Sequence, residues 1–234
     1  VLCMEGENTA LWTQCGSDTS YQLLDGQGPW RLVSVPNSTS FALHDHRGDV
    51  TLFSATLKPT PLDPLLSFCP TLHILPAEHE GTWQAIGLTS DGRLLAPHRV
   101  LAKDATSFTC TNHLLIWTTH SHEAMFVPLT CLTTTPQVSQ LSRRVERGSR
   151  IVTAVPSAMS LVLQMPRGNL ETTYPRPMVL DVIRDRLDRL AFGEALRVSR
   201  AHRVDLNLLH DHCPVAFLER VPTILAQIHH VDHI

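Results

Sequence analysis

Leu161-Val162-Leu163-Gln164-Met165-Pro166-Arg167-Gly168-Asn169-Leu170-Glu171 is the last place in this chain where an apolar run meets a glycine turn that opens a strand. Upstream of it, apolar residues alternate in short runs broken by Gly, Pro, Asn and Asp. Downstream they recur every three to four residues without a break. The pattern predicts a sheet-built domain over residues 1–173 and a helical array over 174–234. Chains that join strands to stacked helices offer long surfaces and need no pocket, so a scaffold is the expected role.

Working outward toward the N-terminus, Gly6, Gly48 and Gly92 each stand in a turn that opens a strand. Their spacings are 42 and 44 residues, and Gly168 follows Gly92 by 76, about twice 38. A period of about 40–45 residues is that of four-stranded propeller blades. Strands are expected over 30–35, 40–43, 83–88, 107–110, 113–118 and 124–127. There is no Trp-Asp dipeptide and no Gly-His opening, so any propeller is a degenerate WD40 relative, and a β-sandwich is the alternative. Residues 133–147, polar and without period, predict a loop. Roughly four blades are fewer than closed propellers use. The opening at Val1 reads as mid-strand, so a piece of a longer chain is expected, with further blades upstream.

Toward the C-terminus, a helix is expected from Pro175, with Val179, Val182, Ile183, Leu187 and Leu190 inward and Asp181, Arg184, Asp185 and Asp188 outward. Pro175 and Pro177 suit a first turn, where a missing N–H costs nothing. A second helix would turn Phe192, Ala195, Leu196 and Ser199 inward and Gly193, Glu194, Arg197 and Arg200 outward. The two stripes need one another, which makes a helical hairpin. Leu206, Leu208 and Leu209 are expected to begin a short helix ended by Pro214. A further turn is expected over 215–218, and then a last helix opened by Pro222 and running through Ile228 and Val231. The stripe persists to Ile234, so the array is expected to continue. The predicted fold is β then α: a partial WD40-like β-propeller followed by α-solenoid helical hairpins.

Composition limits the function classes. With 43% hydrophobic and 18% charged residues in 234, the chain can bury a core and lies outside the disordered range. No apolar run reaches the ~18 residues of a membrane span, and no membrane role is expected. Six cysteines without a C-x-x-C pair predict free thiols in a reducing compartment, hence cytoplasm or nucleus. The net charge of −3 divides into −6 over residues 1–142 and +3 over 143–234. An arginine surplus in the helical part can mark an acidic or nucleic-acid partner, or a solvated face. The candidate contacts are Arg167, Arg184, Arg186, Arg189, Arg197, Arg200 and Arg203.

Fourteen histidines raise the question of a metal. His44 with His46, His120 with His122, and His210 with His212 and Cys213 each supply two or three donors. None has an identifiable partner set, and i,i+2 residues on a helix do not face each other. His229, His230 and His233 form a further cluster on the same terms. The chain has no G-x-S-x-G elbow, Gly-rich phosphate loop with Lys, H-E-x-x-H or dinucleotide fingerprint. No catalysis, metal or cofactor is expected.

Three stretches resemble a known family. They are Val145-Glu146-Arg147-Gly148-Ser149-Arg150-Ile151-Val152-Thr153, the 161–171 run, and Asp205-Leu206-Asn207-Leu208-Leu209-His210-Asp211-His212. They are similar to the largest scaffold subunit of the Elongator complex, the IKAP family, and Thr118-Thr119-His120-Ser121-His122 looks like its second propeller. The resemblance implies two WD40-type propellers followed by an α-solenoid, with this chain covering the end of the second propeller and the first solenoid helices. It implies a subunit that dimerises through regions beyond Ile234 and organises partners that modify the tRNA wobble uridine. The radical SAM and acetyl-CoA chemistry would belong to a different polypeptide. Direct tRNA binding by the arginines and a vesicle-coat-like scaffold are the alternatives.

Overall fold

The computed structural model describes residues 2–5, 8–15, 18–24, 30–36, 38–54, 58–77, 82–132 and 141–226, with backbone alone for 2–24. The chain divides into two compact units, Val1–Ala105 and Thr106–Ile234. In the first, β1 (Leu2–Glu5), β2 (Asn8–Cys15) and β3 (Asp18–Leu24) form one antiparallel sheet. A second holds β4 (Arg31–Ser34), β5 (Phe41–His44), β6 (Val50–Phe53) and β7 (Pro59–Leu62). A third holds β8 (Thr71–Pro76), β9 (Trp83–Leu88), β10 (Leu94–Ala96) and β11 (Arg99–Ala102). The second and third sheets share a core in which Val35, Ala42, Val50 and Leu52 meet Leu72, Ile74, Ala85 and Leu95. Its packing is tight at Gly87, where a Cβ would come within 2.5 Å of the Cys69 side chain.

In the second unit, β12 (Ala105–Cys110), β13 (Leu114–Thr119), β14 (Glu123–Pro128) and β15 (Leu141–Arg144) make a four-stranded sheet. Beyond it, β16 (Arg150–Val155), β17 (Ser160–Gln164) and β18 (Leu170–Thr173) make a three-stranded one. Every sheet joins sequence neighbours in antiparallel order, as propeller blades do. The part of the expected 133–147 loop that is described carries β15, which pairs 141–144 against 126–123; residues 133–140 lie outside the described residues.

The strands that sequence reasoning passed over include the outer ones, β7, β11 and β15, none with a buried residue. An edge strand needs no apolar alternation, and β7 tolerates Pro59 and Pro61 because one side of an edge needs no ladder donors.

The glycine repeat has a structural meaning. Gly48, Gly92 and Gly168 each take a positive φ in the turn between the second and third strands of their sheets. In each, the glycine N–H reaches back three residues, to Asp45, Thr89 or Met165. The doubled interval between Gly92 and Gly168 contains the same turn, with His122 at φ 66° in the glycine position and its N–H on the Thr119 carbonyl at 3.1 Å. Gly6 lies outside the described residues.

Among the described residues four helices follow: α1 (Arg176–Asp188), α2 (Phe192–Ala201), α3 (Asn207–His212) and α4 (Pro214–Ala226). Val179, Ile183 and Leu187 of α1 pack with Phe192 and Ala195 of α2, Val204, Leu209 of α3 and Ile224 of α4. Leu190 departs from the expected stripe. It is 39% exposed and left-handed at φ 59°, because the α1 end is a Schellman turn in which Ala191 N–H meets the Arg186 carbonyl and Leu190 N–H that of Leu187. Gly193, expected outward, is buried. Pro214 opens α4, which runs through 215–218 and past Pro222 as one helix. Phe217, Val221 and Ile224 keep one inward stripe across that point while Pro222 is exposed, so the missing N–H falls on the solvent side. Ile228, Val231 and Ile234 lie outside the described residues.

Candidate functional site

The passage from sheet to helix takes two residues, Tyr174 and Pro175, between the end of β18 and the start of α1. The two architectures exchange side chains there. Met178 of α1, 2% exposed, is buried among Leu114, Ile116 and Phe126 of one sheet and Leu161, Leu163 and Met165 of the next. In return Met159, left-handed at φ 53° after the short 3-10 turn Pro156–Ala158, packs on the helical core. His113 Nδ1 lies 3.2 Å from Asp181 Oδ2, pinning the β12–β13 turn to α1. Burial pushes the Asp181 carboxyl up, and His113 partly offsets this.

Beside this pin lies a cavity of about 410 Å³. Leu114, Phe126, Leu129 and Pro177 line it on the apolar side, and Asp181, Asp185, Asp188 and Arg184 form its polar rim.

The candidate arginines do not form one cluster. Arg186 pairs with Glu194 across α1 and α2, and Arg189 Nη2 donates to Asp185 Oδ1 at 2.7 Å. Arg184, Arg197, Arg200 and Arg203 are exposed and have no ion pair among the described residues. Arg197 flanks, with Arg220, a second cavity of about 430 Å³ near the start of α2. Arg203 is the left-handed residue of a second Schellman turn, closed by Val204 N–H on the Ser199 carbonyl at 2.7 Å. Arg176 Nη1 donates to the carbonyls of His202 and Arg203 at 3.0 and 3.1 Å, a cation placed on the negative end of α2. Arg167 stands apart from these, exposed in the β17–β18 turn.

Four of the candidate histidines have contacts within the fold. His44 is fully buried, with Nδ1 3.2 Å from the Asp49 carbonyl and Nε2 accepting the Cys69 N–H at 2.8 Å. His122 is the turn residue above. His212 Nε2 lies 2.7 Å from Asp188 Oδ1, and His210 pairs with the adjacent Asp211. Among the described residues no group of three His, Cys, Asp or Glu side chains is placed to hold a metal ion, and no helix is long and apolar enough to cross a membrane. His229, His230 and His233 lie outside the described residues.

Residues 26–152, more than half of the chain, match the family model described as ELP1 N-terminal second beta-propeller, and 176–234 match the one described as ELP1 alpha-solenoid. The chain belongs to the Elongator complex protein 1 family. It is 43% identical over 175 residues to Elongator complex protein 1 of Schizosaccharomyces pombe, covering 71% of this chain and 14% of that protein. With the Xenopus laevis elongator complex protein 1 it shares 37% identity over 221 residues, 87% of this chain and 19% of the relative. With the Saccharomyces cerevisiae protein it shares 38% over 177 residues, 70% and 13%. The chain thus spans less than one-fifth of the length of these curated relatives.

In this Elongator complex protein 1 family member, sequence reasoning missed a second set of arginines. Arg143, Arg144, Arg147 and Arg150 are exposed, and none has an ion pair among the described residues. Four arginines in eight residues, with Glu146 the only acid among them, was the available signal.

Proposed function

We propose that this chain is part of a non-catalytic assembly scaffold of the Elongator complex. On this reading the whole protein dimerises through regions outside this chain, in the cytoplasm or nucleus. It holds the subunit that carries the radical SAM and acetyl-CoA chemistry, in support of tRNA wobble-uridine (U34) modification. The observation that carries the reading is the exchange of Met178 and Met159 between blade and helix cores across a two-residue passage. A passage that short, locked from both sides, fixes an angle, which is what a scaffold needs and a flexible linker would lose. The test is co-purification of the other Elongator subunits with the full-length protein. Changing Met178, Val182 and Ile183 to Asp should lose them. A Gly-Ser insertion between Thr173 and Tyr174, which leaves both cores intact, should lose them as well, and undiminished recovery with the insertion contradicts the reading.

A second reading, direct contact of tRNA with the helical arginines, is favoured by the exposure of the unpaired Arg184, Arg197, Arg200 and Arg203. Its signature is affinity that falls steeply with salt and declines when these four become Gln.

A further inference from the structure

We propose that the outer edge of β15 receives an extended acidic segment of a partner protein, added as a further strand with its carboxylates on Arg143, Arg144 and Arg147. β15 ends the order β12-β13-β14-β15 and pairs on one side alone, so its other edge leaves backbone N–H and C=O groups open among the described residues. All four of its residues are exposed, Leu141 at 46%. An open edge is a template for another strand unless charge or a bulge guards it. Here the charges on the edge strand itself are all cationic, with Glu123 of β14 opposite Arg144 the one acid across the ladder, which repels cationic segments and selects anionic ones.

The strand's alternation adds detail. Leu141 and Arg143 lie opposite Phe126 and Ala124, on the face where Leu141 also lines the 410 Å³ cavity. A partner residue beside Leu141 would therefore be apolar, and the one beside Arg143 acidic. The 145–149 turn continues the surface. Gly148, at φ 83°, approaches Pro166 so closely that a Cβ would meet its Cγ at 3.2 Å, and Ser149 Oγ donates to Met165 Sδ at 3.2 Å. This contact sets Arg147 on a turn next to the one that carries Arg167. Guanidinium forks fit carboxylates two bonds at a time. They fit phosphates equally well, but nucleic acid has no amide backbone to pair with an edge, and residues 141–150 contain no aromatic ring for a base to stack on.

The inference deepens the scaffold reading by naming a surface that holds something, and it is tested without other subunits. The probe is a fluorescein-labelled heptapeptide, Glu-Thr-Glu-Glu-Thr-Leu-Thr, which in antiparallel register sets Leu beside Leu141 and Glu beside both Arg143 and Arg144, titrated into the full chain. Binding should be saturable, about tenfold or more weaker for R143E/R144E, and abolished when alternate peptide nitrogens are methylated. R143Q/R144Q, which reverses no charge, should weaken it as well should the double Glu variant fold poorly. Equal binding of the methylated peptide, unchanged affinity in the arginine variants, or a short RNA duplex that binds where the peptide does not would each overturn the proposal. Loss of the edge with Elongator subunits still recovered leaves the scaffold reading intact.

Discussion

His44 is fully buried, and both ring nitrogens are engaged only when the ring is neutral: Nδ1–H donates to the Asp49 carbonyl and Nε2 accepts from Cys69 N–H. Burial lowers its proton affinity, more than the Asp49 carbonyl and the Asp45 and Asp49 charges raise it. A folded-state value below the unfolded one means the unfolded chain binds a proton first as pH falls. The stability contributed by neutral His44 is therefore fully present above about pH 6.5 and is lost as pH drops below it. Thermal melts at pH 7.5 and 5.5 should show a fall in Tm for the native chain and a smaller fall for His44→Gln; equal falls would contradict this. The adjoining Cys69 thiol is pushed up to about 12 by burial, so it stays protonated beside the ring. In the second unit, the half-buried His122 holds a left-handed conformation that favours glycine. His122→Gly should stabilise by about 0.5–1 kcal/mol in denaturant melts. Gly48→Ala should destabilise, because its Cβ would overlap the Leu65 carbonyl oxygen.

At the level of elements, α1 is fitted to two cores. Met178 serves the sheets while Val179, Ile183 and Leu187 serve the helices, so a single 13-residue helix closes both. Its end is less well fitted, since Leu190 occupies the left-handed position of the Schellman turn where glycine is preferred. Leu190→Gly should raise stability by about 0.5–1 kcal/mol in the same melts; a loss would show that the half-exposed side chain matters more than the backbone. Buried strands such as β9, with 85–88 all buried, and the helical stripe of α1 were legible because burial writes an apolar run or a period into the sequence. The outer strands β7, β11 and β15 were not, because exposure writes none. The turn repeat was legible at Gly48, Gly92 and Gly168 but hidden at His122, where a residue other than glycine took the same φ. Among the arginines, sequence placed Arg197 and Arg200 on an outer helix face, and the i,i+4 spacing of Asp185 and Arg189 allowed the pair they form, but it could not foresee that Arg186 pairs with Glu194 across two helices or that Arg176 caps α2.

At the scale of the whole molecule, the chain is sheet-built blades that pass into stacked helices, and the corner inside the second unit is where the two meet. Burying Met178 contributes about 1.5–3 kcal/mol, and replacing it by Asp would put a charge among Leu114, Phe126 and Leu161. The most direct measurement is the distance distribution between spin labels carried by unnatural residues at Ser121, in the β13–β14 turn, and Arg197, on the outer face of α2. A fixed corner predicts one narrow distance that broadens in Met178→Asp. A broad distribution in the native chain would contradict it.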